Sequence, residues 1–118
     1  MTPTSSGTTY EQGDIVLCDI PFSDSTGVKR RPVMILSVST YNSRTADVIA
    51  LAITSNLSNS DYSVPIEDRD MVQGKMFKPS LIKVNHIFSV AKSTFQRWLG
   101  RAAPAVVAKS KSVLSTLI

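Results

Sequence analysis

Apolar residues fall into four runs, and polar or glycine- and proline-containing segments separate these runs. β-branched and aliphatic residues dominate each run, and turn-forming residues bound it, which is typical of β-strands. Pro32 would begin the second strand, where its missing N–H costs no ladder hydrogen bond. The third run is apolar almost throughout, which predicts a strand covered on both faces. The predicted strands are Asp14–Ile20, Pro32–Ser39, Asp47–Ile53 and Ser80–Val90.

The last of these runs alternates between two sets of side chains. Successive residues of a strand point to opposite faces of the sheet. One predicted face carries Leu81, Lys83, Asn85 and Ile87, and the other carries Ile82, Val84, His86 and Phe88. The alternation therefore predicts a polar cleft beside Lys83 and Asn85, with His86 on the apolar side.

Shorter segments connect and close these strands. The helical spacing of Val106, Val107, Val113, Leu114 and Leu117 after Pro104 predicts an amphipathic C-terminal helix. A short helix over Lys92–Leu99 would end at Gly100. The remaining segments are predicted as a turn at Ser23–Gly27, a loop at Tyr41–Thr45, an extended piece at Tyr62–Ile66 and a charged loop from there to Lys75.

Short strands followed by one closing helix predict an α+β domain, mainly β, built on a curled antiparallel sheet or small barrel. A chain of 118 residues, 42% hydrophobic and 19% charged, is large enough for a single core. We expect one domain over residues 10–118, after a flexible lead-in rich in Ser and Thr over residues 1–9.

The cysteine content and the hydropathy of the chain indicate its cellular compartment. Cys18 is the only cysteine, so no internal disulfide can form, and no Cys/His spacing is typical of a zinc site. The first residues lack the charged and apolar regions of a signal peptide, and no apolar run reaches membrane-spanning length. These features predict a cytoplasmic protein without a structural zinc site. No Walker loop, Rossmann glycine pattern or His-Glu metal helix is present in the sequence, so we expect no cofactor.

Charge divides the chain unevenly. Residues 1–71 carry five Lys/Arg and all nine acids, a net charge of −4, whereas residues 72–118 carry eight Lys/Arg and no acid, a net charge of +8. A field of this sign attracts nucleic acid or an acidic protein segment. An ordinary solvated basic surface is the alternative.

Arg31 and Thr54 are candidate anion ligands. A guanidinium offers a planar fork of donors that fits a phosphate, although Arg31 could instead pair with Asp19 or Asp24. Thr54 follows the third strand, where its hydroxyl could bind an anion with Ser55 and Asn56 or could stabilise a turn.

Other reactive side chains favour structural roles when judged from local sequence. Histidine is the side chain that ordinarily exchanges a proton near neutral pH, but the predicted neighbours of His86 favour a core position. Cys18 lies in a strand without a histidine nearby in sequence, which argues against a nucleophilic thiol. Phe88, Phe95 and Trp98 could stack on bases but are more typical of a core.

Three segments together resemble the MazF/PemK family of type II toxin–antitoxin toxins: GDIVLCDIPFSDSTGVKRRPVMILS, DVIALAITSN and KPSLIKVNHIFSVAKSTFQRWLG. The resemblance extends from about Gly13 to Gly100 and includes a Gly-Asp opening, an Arg-Pro pair and an Ile-Thr-Ser sequence. It implies a homodimeric barrel of the Src-homology-3 type. It also implies a metal-independent endoribonuclease that cuts single-stranded RNA and is blocked by the acidic, disordered tail of an antitoxin.

The resemblance also implies roles for individual residues. The family's catalytic Arg and Thr correspond to Arg31 and Thr54, which favours the catalytic over the structural interpretation of both. The 2′-hydroxyl would attack the adjacent phosphate and leave a 2′,3′-cyclic phosphate and a 5′-hydroxyl. The remaining candidate substrate-binding residues are Lys29, Arg30, Ser55, Asn56, Lys83, Asn85 and His86.

One position departs from the family. Many relatives carry an acidic residue followed by Gln where this chain has Asn85 and His86, and an amide cannot act as a base. The base would then be His86, Asp24 or a water molecule. Two other functions therefore stay open: a toxin of the same fold that poisons DNA gyrase, and an inactive RNA- or protein-binding relative.

Overall fold

A computed structural model describes residues 9–21 and 28–118. Seven antiparallel strands form one curled sheet in the order β4-β6-β3-β2-β1-β7-β5. The strands are β1 (Asp14–Pro21), β2 (Val28–Ile35), β3 (Asp47–Thr54), β4 (Ser63–Ile66), β5 (Met71–Gly74), β6 (Ser80–Ala91) and β7 (Phe95–Ala102). The helices are α1 (Ser39–Arg44) and α2 (Pro104–Ser115), with single 3-10 turns at Asp68–Asp70 and Lys92–Thr94. The predicted mainly β fold class is confirmed.

Side chains of the sheet form two apolar cores. The helix-side cluster includes Met34, Leu51, Ile53, Ile82 and Val84 and receives Val106 and Val107 of α2. The cleft-side cluster includes Val16, Cys18, Val33, Val48 and Ala50, with Ile20 and Phe88 at its edge. Because β2 and β3 contribute to both clusters, the prediction that β3 is covered on both faces is confirmed.

Four predicted elements differ from the structure. β2 begins at Val28 rather than Pro32 and ends at Ile35, because residues 28–32 already pair with β1. Residues 41–44 belong to α1 instead of a loop, and the buried Asn42 side chain joins α1 to the carbonyls of Tyr10 and Ser37. The predicted Ser23–Gly27 turn lies outside the described residues.

The other two differences concern the edge of the sheet. Residues 71–74, predicted as loop, form β5, and residues 95–102, largely predicted as helix, form β7, which pairs with β1 and β5. Gly74 and Gly100 allow this close pairing, because a Cβ on either residue would collide with backbone atoms of the facing strand. Tertiary pairing thus overrides the helical character of the Lys92–Leu99 segment.

Candidate active site

A cleft of about 680 Å³ opens where the middle of β2 and the end of β3 meet the middle of β6. Its walls combine apolar side chains of the cleft-side cluster with polar groups from three separate segments. The polar lining residues are Arg31, Thr54, Asn56, Ser58, Asn59, Lys83, Asn85 and His86. Six of the nine predicted site residues therefore share one cleft.

Arg31 and Thr54 occupy matching positions on neighbouring strands. The β2–β3 ladder pairs Met34 with Leu51 and Val33 with Ala52. Arg31 and Thr54 each lie two residues beyond the Val33–Ala52 pair, toward the same end of the ladder, so the same register places them opposite each other. Both are half-buried and both line the cleft. The two side chains therefore contribute to the wall of the same cleft.

Arg31 is not the ion-pair partner of Asp19. Asp19 lies opposite Arg30, and Nε of Arg30 is 3.5 Å from Oδ1 of Asp19. Asp24, the other proposed partner, lies outside the described residues. The Arg31 side chain lies in the wall of the cleft.

The Thr54 hydroxyl also takes part in the turn that follows β3. Its Oγ1 accepts a hydrogen bond from the Asn56 N–H at 3.1 Å, and Oδ1 of Asn56 accepts bonds from the N–H and hydroxyl of Ser58. The turn interpretation is therefore correct for Thr54, but it does not exclude anion binding. A hydroxyl that accepts from an N–H can still donate its own proton.

A bulge in β6 brings Asn85 and His86 to the cleft. Leu51 pairs with Ile87 and Ala52 pairs with Lys83, so residues 84–86 have no opposite residue on β3. Val84 remains buried, while Asn85 and His86 are exposed. The predicted uninterrupted alternation along β6 is therefore wrong, and so is the core position predicted for His86. The bulge changes which residues point to each face of the strand, so Phe88 lies on the same side as Lys83.

Lys83 is buried in the cleft wall and is held by the loop between β3 and β4. It is only 8% exposed, and its ammonium donates to the carbonyl oxygens of Asn59 at 2.8 Å and Asp61 at 3.4 Å. Burial of an ammonium is costly unless its donors are satisfied. These bonds indicate that Lys83 holds in place the loop that carries Asn56, Ser58 and Asn59.

The other three predicted residues lie in a neighbouring groove. Lys29, Arg30 and Ser55 line a second cavity of about 390 Å³, and Arg31 contributes to both cavities. The sequence analysis missed Lys75, Phe77 and Lys78 in this groove and Ser58 and Asn59 in the cleft. The signal available for the groove was the acid-free stretch after Val72, and for the cleft it was the polar run after Thr54.

The remaining chemical candidates do not form a second centre. Burial and the nearby Asp19 carboxylate raise the pKa of Cys18 to about 11, so its thiol stays protonated at neutral pH, as expected for a structural cysteine. The rings of Phe95 and Tyr10 pack edge-on against the cleft-side cluster, with 4.9 Å between their centroids. Trp98 is 44% exposed, so the prediction that it belongs to the core is wrong. Within residues 9–21 and 28–118, no cluster of three His, Cys, Asp or Glu could hold a metal ion.

Residues 11–118 match the family model described as PemK-like, MazF-like toxin of type II toxin-antitoxin system. The chain belongs to this toxin family. Solved structures share the fold. MazE-MazF from Deinococcus radiodurans is 22% identical, with a TM-score of 0.75 and coverage of 93% of this chain and 96% of that chain. An endoribonuclease from Mycobacterial species in complex with its cognate antitoxin is 22% identical, with a TM-score of 0.70 and coverage of 92% and 91%.

A third solved structure, the Mycobacterium tuberculosis toxin MazF-mt6, is 19% identical, with a TM-score of 0.60 and coverage of 86% of this chain and 89% of that chain. No curated protein matches the sequence. In the described part of this PemK/MazF-like toxin, neither helix has the length and apolar character needed to cross a membrane.

Proposed function

We propose that this toxin is a metal-independent endoribonuclease that cuts single-stranded mRNA in the cytoplasm and so inhibits translation. The observation that carries the proposal is the shared position of Arg31 and Thr54 in one cleft, on adjacent strands. Family membership and the similarity to proteins described as endoribonucleases support it. The same similarity favours cleavage of RNA over poisoning of gyrase.

The proposed reaction is a transesterification. The 2′-oxygen attacks the adjacent phosphorus, the bond from phosphorus to the 5′-oxygen breaks, and the products carry a 2′,3′-cyclic phosphate and a 5′-hydroxyl. A base must take the proton of the 2′-hydroxyl, and an acid must give one to the departing oxygen. Negative charge accumulates on the phosphoryl oxygens during the attack, so a fixed cation beside them accelerates the step.

Arg31 supplies this charge in the proposed mechanism. A guanidinium holds its proton too tightly to act as a base, so its contribution is electrostatic. One preorganised donor of this kind is worth about 3–4 kcal/mol of transition-state stabilisation. Thr54 donates its hydroxyl proton to a phosphoryl oxygen while its oxygen accepts from the Asn56 N–H, a bond that fixes the hydroxyl's position.

His86 is the proposed base. It is exposed, lines the cleft and is the only histidine of the chain. Asn85, beside it, can donate to RNA but cannot accept the 2′-hydroxyl proton as a base. The bulge exposes both residues in one wall of the cleft, so the imidazole of His86 lies next to Asn85, the position where the resemblance implies an acidic residue.

Cleavage of a long RNA in EDTA tests the proposal. Arg31→Met should lower the rate at least about 100-fold, and Thr54→Val should also lower it, because each removes a donor to the phosphoryl oxygens. Arg44→Met and Thr40→Val, exposed on α1, serve as matched controls and should retain wild-type rates. A deoxyribose at the cut position should abolish cleavage. Wild-type rates in both site variants, or cleavage next to deoxyribose, would contradict the mechanism.

The proposed partners are a second copy of the chain and an antitoxin with an acidic, disordered tail. The net charge of +8 over residues 72–118 complements such a tail. Binding should weaken steeply with salt and compete with RNA. Sedimentation of the toxin alone tests the homodimer, and titration of the tail peptide at two salt concentrations tests the tail; an affinity independent of salt contradicts an electrostatic tail contact.

A further inference from the structure

The second groove lies against the cleft and is strongly basic. Arg31 and Ile53 belong to the walls of both cavities, so the two are adjacent on either side of the Arg31 side chain. Five cations and no acid line the groove: Lys29, Arg30, Arg31, Lys75 and Lys78. Arg30 is partly neutralised by Asp19, while within residues 9–21 and 28–118 neither Lys75 nor Lys78 forms an ion pair.

An aromatic side chain stands between the two lysines. Phe77 is 78% exposed, although its neighbour Met76 is half-buried against the helix-side cluster. A single exposed ring is not unusual by itself, so the significance of Phe77 comes from the two lysines that flank it. An aromatic ring flanked by cations is typical of surfaces that bind single-stranded nucleic acid, because the cations contact phosphates and the ring stacks on a base. Phe77 lies between Lys75 and Lys78 in this way.

The loop that carries Phe77 is fixed at both ends. The N–H of Lys75 donates to the Leu99 carbonyl at 3.3 Å, and the N–H of Met76 donates to Oδ1 of Asp68 at 3.0 Å. The hydroxyl of Ser80 donates to the Lys78 carbonyl at 3.0 Å. These bonds hold the backbone on either side of Phe77, so the ring is presented on an ordered loop and a base can stack on it at little entropic cost.

We propose that this groove, with Phe77 as a stacking platform and Lys75 and Lys78 as phosphate contacts, is a second RNA subsite. It holds a nucleotide flanking the one cut in the cleft, and the strand passes Arg31 between the two. The inference rests on the proposed function for the direction of the RNA path. The exposed ring favours RNA over an acidic peptide, because oligo-glutamate has no planar group to stack.

Equilibrium binding separates stacking from charge. The probe is a fluorescent 2′-O-methyl RNA of mixed sequence, about 16 nucleotides long, which cannot undergo 2′-hydroxyl attack. Phe77→Ala should weaken binding about tenfold and leave the salt dependence unchanged, whereas Phe77→Trp should restore the affinity. The double variant Lys75→Met/Lys78→Met should reduce the slope of log affinity against log salt by about 1.4, since each phosphate contact on a single strand contributes about 0.7.

Matched controls lie away from the groove. Trp98→Ala removes another exposed ring, and Lys109→Met/Lys111→Met removes two exposed cations from α2. Both should keep the wild-type affinity and slope. All substituted side chains are exposed, so thermal unfolding should show that every variant folds.

Three results would overturn the inference: wild-type affinity in Phe77→Ala, equal losses in Phe77→Ala and Trp98→Ala, or an oligo-glutamate peptide that needs Phe77 when the RNA does not. Because the probe is never cut, binding is independent of catalysis. A wild-type protein that binds through Phe77 but cuts no RNA would refute the nuclease and retain the subsite. A wild-type protein that cuts RNA but binds the probe independently of Phe77 would retain the nuclease and refute the subsite.

Discussion

Replacement of Lys83 by methionine tests whether this residue holds the loop or binds substrate. Methionine retains most of the apolar length of the lysine side chain but removes the ammonium. The change deletes the bond to the Asn59 carbonyl at 2.8 Å and the longer bond to the Asp61 carbonyl at 3.4 Å. A hydrogen bond to a charged group contributes about 1.5–3 kcal/mol, and the longer bond contributes less.

Desolvation of the ammonium offsets part of that contribution, because Lys83 is only 8% exposed. We therefore expect Lys83→Met to lower the free energy of unfolding by about 2 kcal/mol. Amide exchange over residues 55–62 should also accelerate, since those carbonyls lose their anchor. Lys78→Met, an exposed lysine of the second groove, should change the stability by less than about 0.5 kcal/mol.

Urea unfolding measures the free energy, and hydrogen exchange followed by mass spectrometry measures the loop. A direct substrate contact would give a different pattern: unchanged stability and exchange, with weaker RNA binding and a shallower salt dependence. If Lys83→Met retains wild-type stability and loop protection, the assignment of Lys83 as a loop anchor is wrong.

Three further predictions concern the core and the cleft. Arg101→Met should lower the free energy of unfolding by about 3–5 kcal/mol in urea, because it removes the 2.7 Å ion pair of the buried Asp14 carboxylate. Arg97→Met, which changes an exposed arginine, is the control. Equal stabilities of the two variants would contradict the role of the ion pair. Burial raises the pKa of Cys18 to about 11, so above about pH 9 the unfolded chain holds fewer protons at this thiol than the folded chain. The thiol should therefore lower the stability by up to about 1.4 kcal/mol per pH unit between pH 9 and 11. Cys18→Ala should make the measured slope shallower, and an unchanged slope would contradict this role of the thiol. His86→Gln should lower the RNA cleavage rate by at least about 100-fold, because it removes the proposed base. A wild-type rate would assign the base elsewhere.

The strands that the sequence predicted well are those whose pattern is local. Asp14–Ile20 and Asp47–Ile53 are apolar runs bounded by turn residues, and the structure extends each by a single residue. β7 could not be predicted in this way, because its pairing with β1 and β5 depends on contacts distant in sequence and on the close approach at Gly100. Local propensity carries no information on such contacts.

The candidate site shows the same division. The side-chain chemistry of Arg31 and Thr54 indicated candidate anion ligands, and the family resemblance favoured a catalytic role for both. The β2–β3 register then gave a physical reason for their proximity. The orientation of His86 could not be predicted, because strict alternation contains no sign of a three-residue interruption. Phe77 was missed because an isolated aromatic residue in a charged segment resembles a core residue until its exposure is known.

Because of the β6 bulge, substitutions in this wall of the cleft can occur without changes in the core. Residues 85 and 86 have no opposite residue on β3 and are exposed, so substitutions there alter neither strand pairing nor interior packing. This chain should therefore accept other polar pairs at positions 85 and 86 without loss of stability. Random mutagenesis confined to these two positions should consequently yield mostly folded variants, whereas rapid RNA cleavage should be confined to those that keep His86.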